Sequence, residues 1–441
     1  MPGSAKQKSA KNAFGVKGTG TDLRGAAQLS VAAVQGVVDL VESLHGTIAT
    51  LSPIVGAPRR DRTQGVTGLV YRSIRGVTEV TGATLDLVLK QLTPILNSRA
   101  ATPIAPREAS LAALNGVFGD FLAKSNNPLA IPMQLRQKGC GIKIGRPELA
   151  EAFPKPNGKL LIIIHGLCMN DLQWQRDGHD HGRALAARFG YAPLYLHYNS
   201  GVHVSGNGQA LSALLEDLIE QWPHPVEELV ILGHSMGGLV ARSACHYAGR
   251  EKRFWPRHLK KLIFLGTPHH GAPLERAGSW LDFLLGVSPY SAPFARLGMA
   301  RSDGIRDLRH GMLLEEDWQA HPSTTRTDIR SPVPLPKGVD CYAIAATRQH
   351  PPPGPDGNRN QAGTNPSGSK ELARLPVRSD GLVPVGSALG RHPKLTQALD
   401  FPKDRQKFFF DMNHFDLLNR AEVFEQLCDW AGTSTPQPKP A

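Results

Sequence analysis

Apolar residues recur at helical spacing in the first third of the chain and in strand-like runs thereafter. Val34, Val37, Val38, Val41, Leu44, Ile48 and Leu51 fall on one face of a helix, and Val66, Val70, Ile74, Val77, Val88, Leu92 and Ile95 on one face of a second. Gly68, Gly76 and Gly82 interrupt the second pattern. A basic turn, Pro58 to Arg62, separates the two. A shorter third helix is predicted over 107–124, with Leu111, Leu114, Val117 and Phe121 on one side. These faces need a partner. They suit a helical subdomain packed on a catalytic domain, or an amphipathic anchor on a membrane or lipid particle aided by the arginines.

From about residue 130 the pattern alternates. Residues 159–164 form a continuous apolar run, as expected of a strand buried on both faces. Further strands are predicted at 192–198, 228–232, 261–265, 339–345 and 407–410, with a helix from Leu211 to Trp222 and another following residue 237. Alternating strands and helices predict an α/β fold with a mostly parallel central sheet, whose sites lie at the C-terminal strand ends. Residues 272–335 interrupt the alternation with Trp280, Leu281, Phe283, Leu284, Leu285 and Phe294, a cluster suited to an apolar helical cap. Residues 349–369, rich in Pro, Gly and Asn, read as an exposed loop. The expected organisation is a flexible tail (1–22), an N-terminal helical extension (23–130), an α/β domain (131–432) and a C-terminal tail (433–441).

Composition narrows the function class only slightly. The 441 residues carry a net charge of +12, which favours anionic surroundings. The basic residues are scattered, and no zinc-finger spacing, RNP-like motif or Lys/Arg block occurs, so no nucleic-acid partner is expected. The five cysteines, at 140, 168, 245, 341 and 428, are widely spaced without a C-x-x-C pair. Reduced thiols are expected, with neither a disulfide framework nor a metal site. The first 22 residues are polar and basic and lack a secretory signal pattern, and no run of 18 uncharged apolar residues appears. The expected location is cytoplasmic, with membrane association through the N-terminal helices.

The chemistry is concentrated after the strand at 228–232. Gly233-His234-Ser235-Met236-Gly237 stands between that strand and a helical pattern, the context of a nucleophile elbow. Side chains at 233 and 237 would crowd the turn that lifts the serine hydroxyl to the tip of the sheet. A serine needs a histidine to take its proton and an acid to orient that histidine. His414 follows the last strand and is the candidate base. His269 and His270 also follow a strand, but precede any plausible acid, and His269 suits the wall of a substrate pocket. Asp380, in Ser379-Asp380-Gly381, lies after the strand at 339–345 and is the candidate acid. Asp303 and Asp307 are the alternatives, and Asp416 suits support of the His414 loop. The N–H groups of Met236 and Leu167 are the candidate oxyanion donors, with His165 beside them. Cys168 adjoins the site without a role for its thiol.

Taken together, His165-Gly166-Leu167, Gly233 to Gly238, Asp380-Gly381-Leu382-Val383 and Asn413-His414-Phe415-Asp416 resemble the α/β-hydrolase superfamily. Within it they are similar to Pseudomonas and Burkholderia-type lipases and esterases. Leu265 to Gly271 also resembles the lipase-like domains of GPI inositol-deacylases. The resemblance covers about residues 157–430 and implies hydrolysis of carboxylic esters through an acyl-enzyme, without a cofactor. Acyl chains are the expected substrates, with Trp280, Phe283 and Leu284 of the cap among the substrate-binding residues. The lipases it resembles bind a structural calcium near the base loop. Asp416 matches one ligand position, but Arg420 stands where the motif offers an amide, so no metal is expected. The same triad could transfer an acyl group to an alcohol. A different class of function would rest on the N-terminal helices, as a lipid-surface or granule-binding protein.

Overall fold

The computed structural model describes residues 105–272, 302–320, 330–351 and 379–432. The tails, the helices expected over 23–97 and the cap residues Trp280, Phe283 and Leu284 lie outside the described residues, as does most of the loop 349–369.

Eight strands form one sheet: β1 (Gln134–Gln137), β2 (Cys140–Gly141), β3 (Lys159–Ile164), β4 (Ala192–His197), β5 (Glu228–His234), β6 (Leu259–Leu265), β7 (Asp340–Ala346) and β8 (Gln406–Phe409). Their order across the sheet is β2-β1-β4-β3-β5-β6-β7-β8. The six strands from β4 to β8 run parallel, while β1 pairs antiparallel with β2 and β4. The strands expected from the apolar runs are all present, within about two residues at each end. Leu160 to Ile164 are entirely buried, as are Ile231 and Leu232 of β5 and Phe264 and Leu265 of β6. This sandwiching between helical layers is why these runs lack alternation. The edge pair β1 and β2 has no such run, since Gln134-Leu135-Arg136-Gln137 buries only Leu135.

Helices α1 (Ala105–Lys124), α2 (Arg146–Ala152), α3 (His181–Phe189), α4 (Val204–Gln221), α5 (Met236–Arg250), α6 (Asp303–His310), α7 (Glu315–Ala320), α8 (Val385–Ala388) and α9 (Ala421–Gly432) complete the described residues. Helix α4 starts seven residues before the predicted Leu211. Its first turns contain Gly206 and Gly208, poor helix formers. Gly208 is there for contact: a Cβ at that position would lie 2.2 Å from Ser243 Oγ of α5. Helix α1 buries Leu111, Leu114 and Val117 as expected, but Phe121 is 38% exposed and Leu122 takes the buried place. The backbone departs from helical angles at Phe118 (φ −125°, ψ 15°), which rotates the face that follows.

Sheet order decides where chemistry can occur. Strand β3 lies between β4 and β5, so the chain leaves the middle of the sheet in both directions and opens a crevice at the C-terminal strand ends. Ile164 pairs with Gly233, which places the residues after β3 beside those after β5. A cleft of about 560 Å³, lined by Glu216, Trp222, Pro223, Phe254 and His258, lies at the other end of β5 and far from that crevice.

Candidate active site

Ser235 sits between β5 and α5 with φ 54° and ψ −124°. A non-glycine residue at positive φ is held there by its surroundings at a cost of about 1–3 kcal/mol. Its N–H donates to the Leu265 carbonyl at 2.9 Å, which ties the turn to β6. A Cβ at Gly237 would stand 2.3 Å from the Ile164 carbonyl oxygen, and one at Gly233 2.7 Å from the Gly238 nitrogen. The two glycines therefore permit the close approach that makes the turn sharp.

His414 is brought to the same end of the sheet by the loop after β8. Its Nδ1–H donates to Asp380 Oδ2 at 2.7 Å, and its main-chain N–H donates to the Asp380 carbonyl at 3.0 Å. With the proton on Nδ1, Nε2 is left as an acceptor. Asp380 follows β7, and the N–H of Arg348 donates to Ser379 O at 3.1 Å to anchor its loop. Asp380 Oδ1 accepts from the Leu382 and Val383 N–H groups at 2.9 and 2.7 Å. The Asp-Gly turn thus occupies one carboxylate oxygen and leaves the other to orient the imidazole. The His414 ring lies against β6, because a Cβ at Gly266 would be 3.2 Å from Cε1 and Nδ1. Ser235 Oγ and His414 Nε2 are both buried and accept or donate no hydrogen bond.

The first residues after β3 adjoin the serine: a Cβ at Gly166 would sit 3.0 Å from Ser235 Cβ. Leu167 follows, and Met236 opens α5, where first-turn N–H groups have no partner within the helix. The Leu167 and Met236 side chains are fully buried.

The alternatives for the acid lie elsewhere. Asp307 accepts from His203 Nδ1 at 3.0 Å and the Val204 N–H at 2.7 Å, and Asp303 pairs with Lys124 and Arg306. Asp416 Oδ2 accepts the Asn413 N–H at 2.7 Å and so braces the His414 loop. His165 and His269, expected beside a substrate, are 0% and 1% exposed. His165 stacks on Tyr198 with ring centroids 4.5 Å apart, and burial lowers its pKa to about 3. His269 lies edge-on to Phe264 and accepts from Arg242, and burial holds it neutral as well. Both are packed inside the protein, as Ser235 and His414 are.

Nothing in the pentapeptide itself assigns a role to His234. It is fully buried, its ring centroid is 4.7 Å from that of His414, and its Nε2–H donates to the His414 carbonyl at 3.2 Å. Burial, reinforced by His414, keeps it neutral. His234 thereby steadies His414, a contact that spans 180 residues and has no local signature. Among the described residues no group of three His, Cys, Asp or Glu side chains is arranged to hold a metal ion.

A mostly parallel eight-stranded sheet with a strained serine elbow after β5 and a carboxylate-bound histidine after β8 defines the α/β-hydrolase fold. Within it, residues 155–329 match the family described as the PGAP1-like alpha/beta domain. No curated protein is significantly similar in sequence. Similar solved structures include the mature lipase BlEst2 of Bacillus licheniformis, 18% identical, covering 63% of this chain and 93% of that one with a TM-score of 0.38. An ester hydrolase from a Lake Arreo metagenome is 12% identical and covers 78% of this chain and 94% of its own, with a TM-score of 0.36.

Proposed function

We propose that the protein is a serine hydrolase that cleaves carboxylic esters through an acyl-enzyme. In this reading Ser235 Oγ attacks the ester carbonyl while His414 Nε2 takes its proton. The tetrahedral intermediate collapses as His414 returns that proton to the departing alcohol. Water then attacks the acyl-serine by the same proton transfers, releasing the acid. Asp380 fixes the imidazole tautomer and stabilises the imidazolium. The N–H groups of Met236 and Leu167 receive the developing oxyanion. The observation that carries this reading is an imidazole whose Nδ1 is held 2.7 Å from Asp380 at the same end of the sheet as the backbone-strained Ser235.

Buried Ser235 and His414 keep a charged intermediate away from bulk water, where oriented N–H dipoles act most strongly. The apolar residues Trp280, Phe283 and Leu284 support acyl chains as the substrate class. Turnover of nitrophenyl esters of increasing acyl length tests both parts. Ser235→Ala and His414→Ala should each lower kcat by at least about 10³-fold. Unchanged turnover in Ser235→Ala would exclude the mechanism.

A further inference from the structure

We propose that helix α1 and Ser200 are positioning elements of the active site, holding the turn that presents the Leu167 N–H to the oxyanion. The inference rests on the hydrolase reading above and extends it to a helix, α1, that precedes the family-matched residues 155–329.

The turn itself is unusual. Cys168, directly after Leu167, has φ 59°, in the left-handed region that a side chain disfavours. Such a conformation persists only where neighbours fix it. Its N–H donates to Ser200 Oγ at 3.0 Å, and Ser200 is itself 1% exposed. Burial pushes the Cys168 thiol well up from its ordinary value, so the side chain stays neutral and fills space.

Helix α1 closes over the other side of the turn. A Cβ at Gly116 would stand 2.2 Å from Cys168 Sγ and 2.9 Å from its Cα, so only glycine allows the helix this close. The helix also grips the loop that carries Ser200. Asn199 Nδ2 donates to the Gly119 carbonyl at 2.8 Å, and a Cβ at Gly201 would lie 2.1 Å from the Asn115 carbonyl oxygen. Helix α6 backs the assembly, with Ser302 Oγ donating to the Gly116 carbonyl at 2.7 Å.

A second clamp lies one turn of chain further on. Glu108 of α1 is buried and pairs with Arg136 at 2.7 Å, and Arg136 also reaches Asp171 at 3.2 Å. Asp171 is three residues beyond Cys168 and lies 3.3 Å from His197 Nδ1 at the end of β4. The segment from Leu167 to Asp171 is therefore fixed by α1 at both ends. A hydrophobic contact alone would need neither the buried charges nor the glycine. This arrangement constrains backbone direction, which is what an oxyanion donor requires.

The test compares Ser200→Ala, which removes the acceptor for the Cys168 N–H, and Gly116→Ala, which pushes on the turn from the helix. Phe121→Ala, on the exposed part of α1, serves as the control. The readouts are the rate of Ser235 labelling by a fluorophosphonate, mapped by mass spectrometry, and kcat and KM for a nitrophenyl ester. Both variants should slow labelling and lower kcat by about 10²-fold, as displacement of a catalytic group does, with KM within about twofold. Phe121→Ala should label at the wild-type rate. If Gly116→Ala fails to fold, Ser200→Ala decides. Wild-type labelling rates in Ser200→Ala, or a loss confined to KM, would overturn the inference and leave the hydrolase reading intact. Absence of Ser235 labelling in the wild type would overturn both.

Discussion

Asp380 divides its two carboxylate oxygens between a turn and an imidazole. Oδ1 is committed to the N–H groups of Leu382 and Val383, and Oδ2 to His414. Asp380→Asn preserves an acceptor for the turn but sets an amide N–H against His414 Nδ1–H. The imidazole must then adopt the other tautomer, with its proton on the nitrogen that should accept from Ser235. We expect kcat to fall by up to about 10⁴-fold, while the unfolding temperature changes little. Steady-state kinetics beside thermal unfolding will check this. A variant that retains kcat would mean that Asp380 does not orient the base.

The elbow is a property of two elements meeting rather than of the serine alone. Gly237 must lie against the end of β3, 2.3 Å from the Ile164 carbonyl oxygen if a Cβ were added. Gly237→Ala should therefore cost about 1–3 kcal/mol in stability and abolish turnover. Gly249, in the same helix, has nothing within 4 Å of an added Cβ. Gly249→Ala should instead stabilise the protein by up to about 1 kcal/mol, with turnover unchanged. Denaturant unfolding of the two variants distinguishes contact from helix propensity. The comparison also explains what the sequence made legible. Strands β3, β5 and β6 were visible because full burial imposes unbroken apolar runs, and the meeting of Asp380 with His414 because each follows a strand. The β1 and β2 edge pair, the glycine-led start of α4 and the His234 contact were not visible. The hairpin is too short to show a period, and the other two depend on long-range neighbours. The same is true of Cys168, whose left-handed backbone is set by Ser200 and by α1.

Across the whole molecule, buried neutral histidines set the response to acid. Burial lowers the pKa of His165 and His181 from 6.5 to about 3, and holds His234 and His269 well below the ordinary value. Between those limits the unfolded chain binds protons that the folded chain does not. Stability is therefore full above about pH 6.5 and is lost as pH falls toward 3, by up to about 1.4 kcal/mol per pH unit for each such histidine. Asp171, lowered by its hydrogen bond to His197 against an opposing burial penalty, adds to the loss at the acid end. Asp307, raised by burial, opposes it. Denaturant titrations from pH 8 to 4.5 should show a steep decline starting below about pH 6.5, and a flat profile would refute this assignment. No helix among the described residues is long and apolar enough to cross a membrane. The proposed mechanism passes through one covalent bond, between Ser235 and the acyl group. Intact-mass and peptide mass spectrometry of protein quenched during turnover of a slowly deacylating ester tests it most directly. An added acyl mass is expected on the peptide containing Ser235, absent in Ser235→Ala. An acyl group on another residue, or turnover that persists without Ser235, would contradict it.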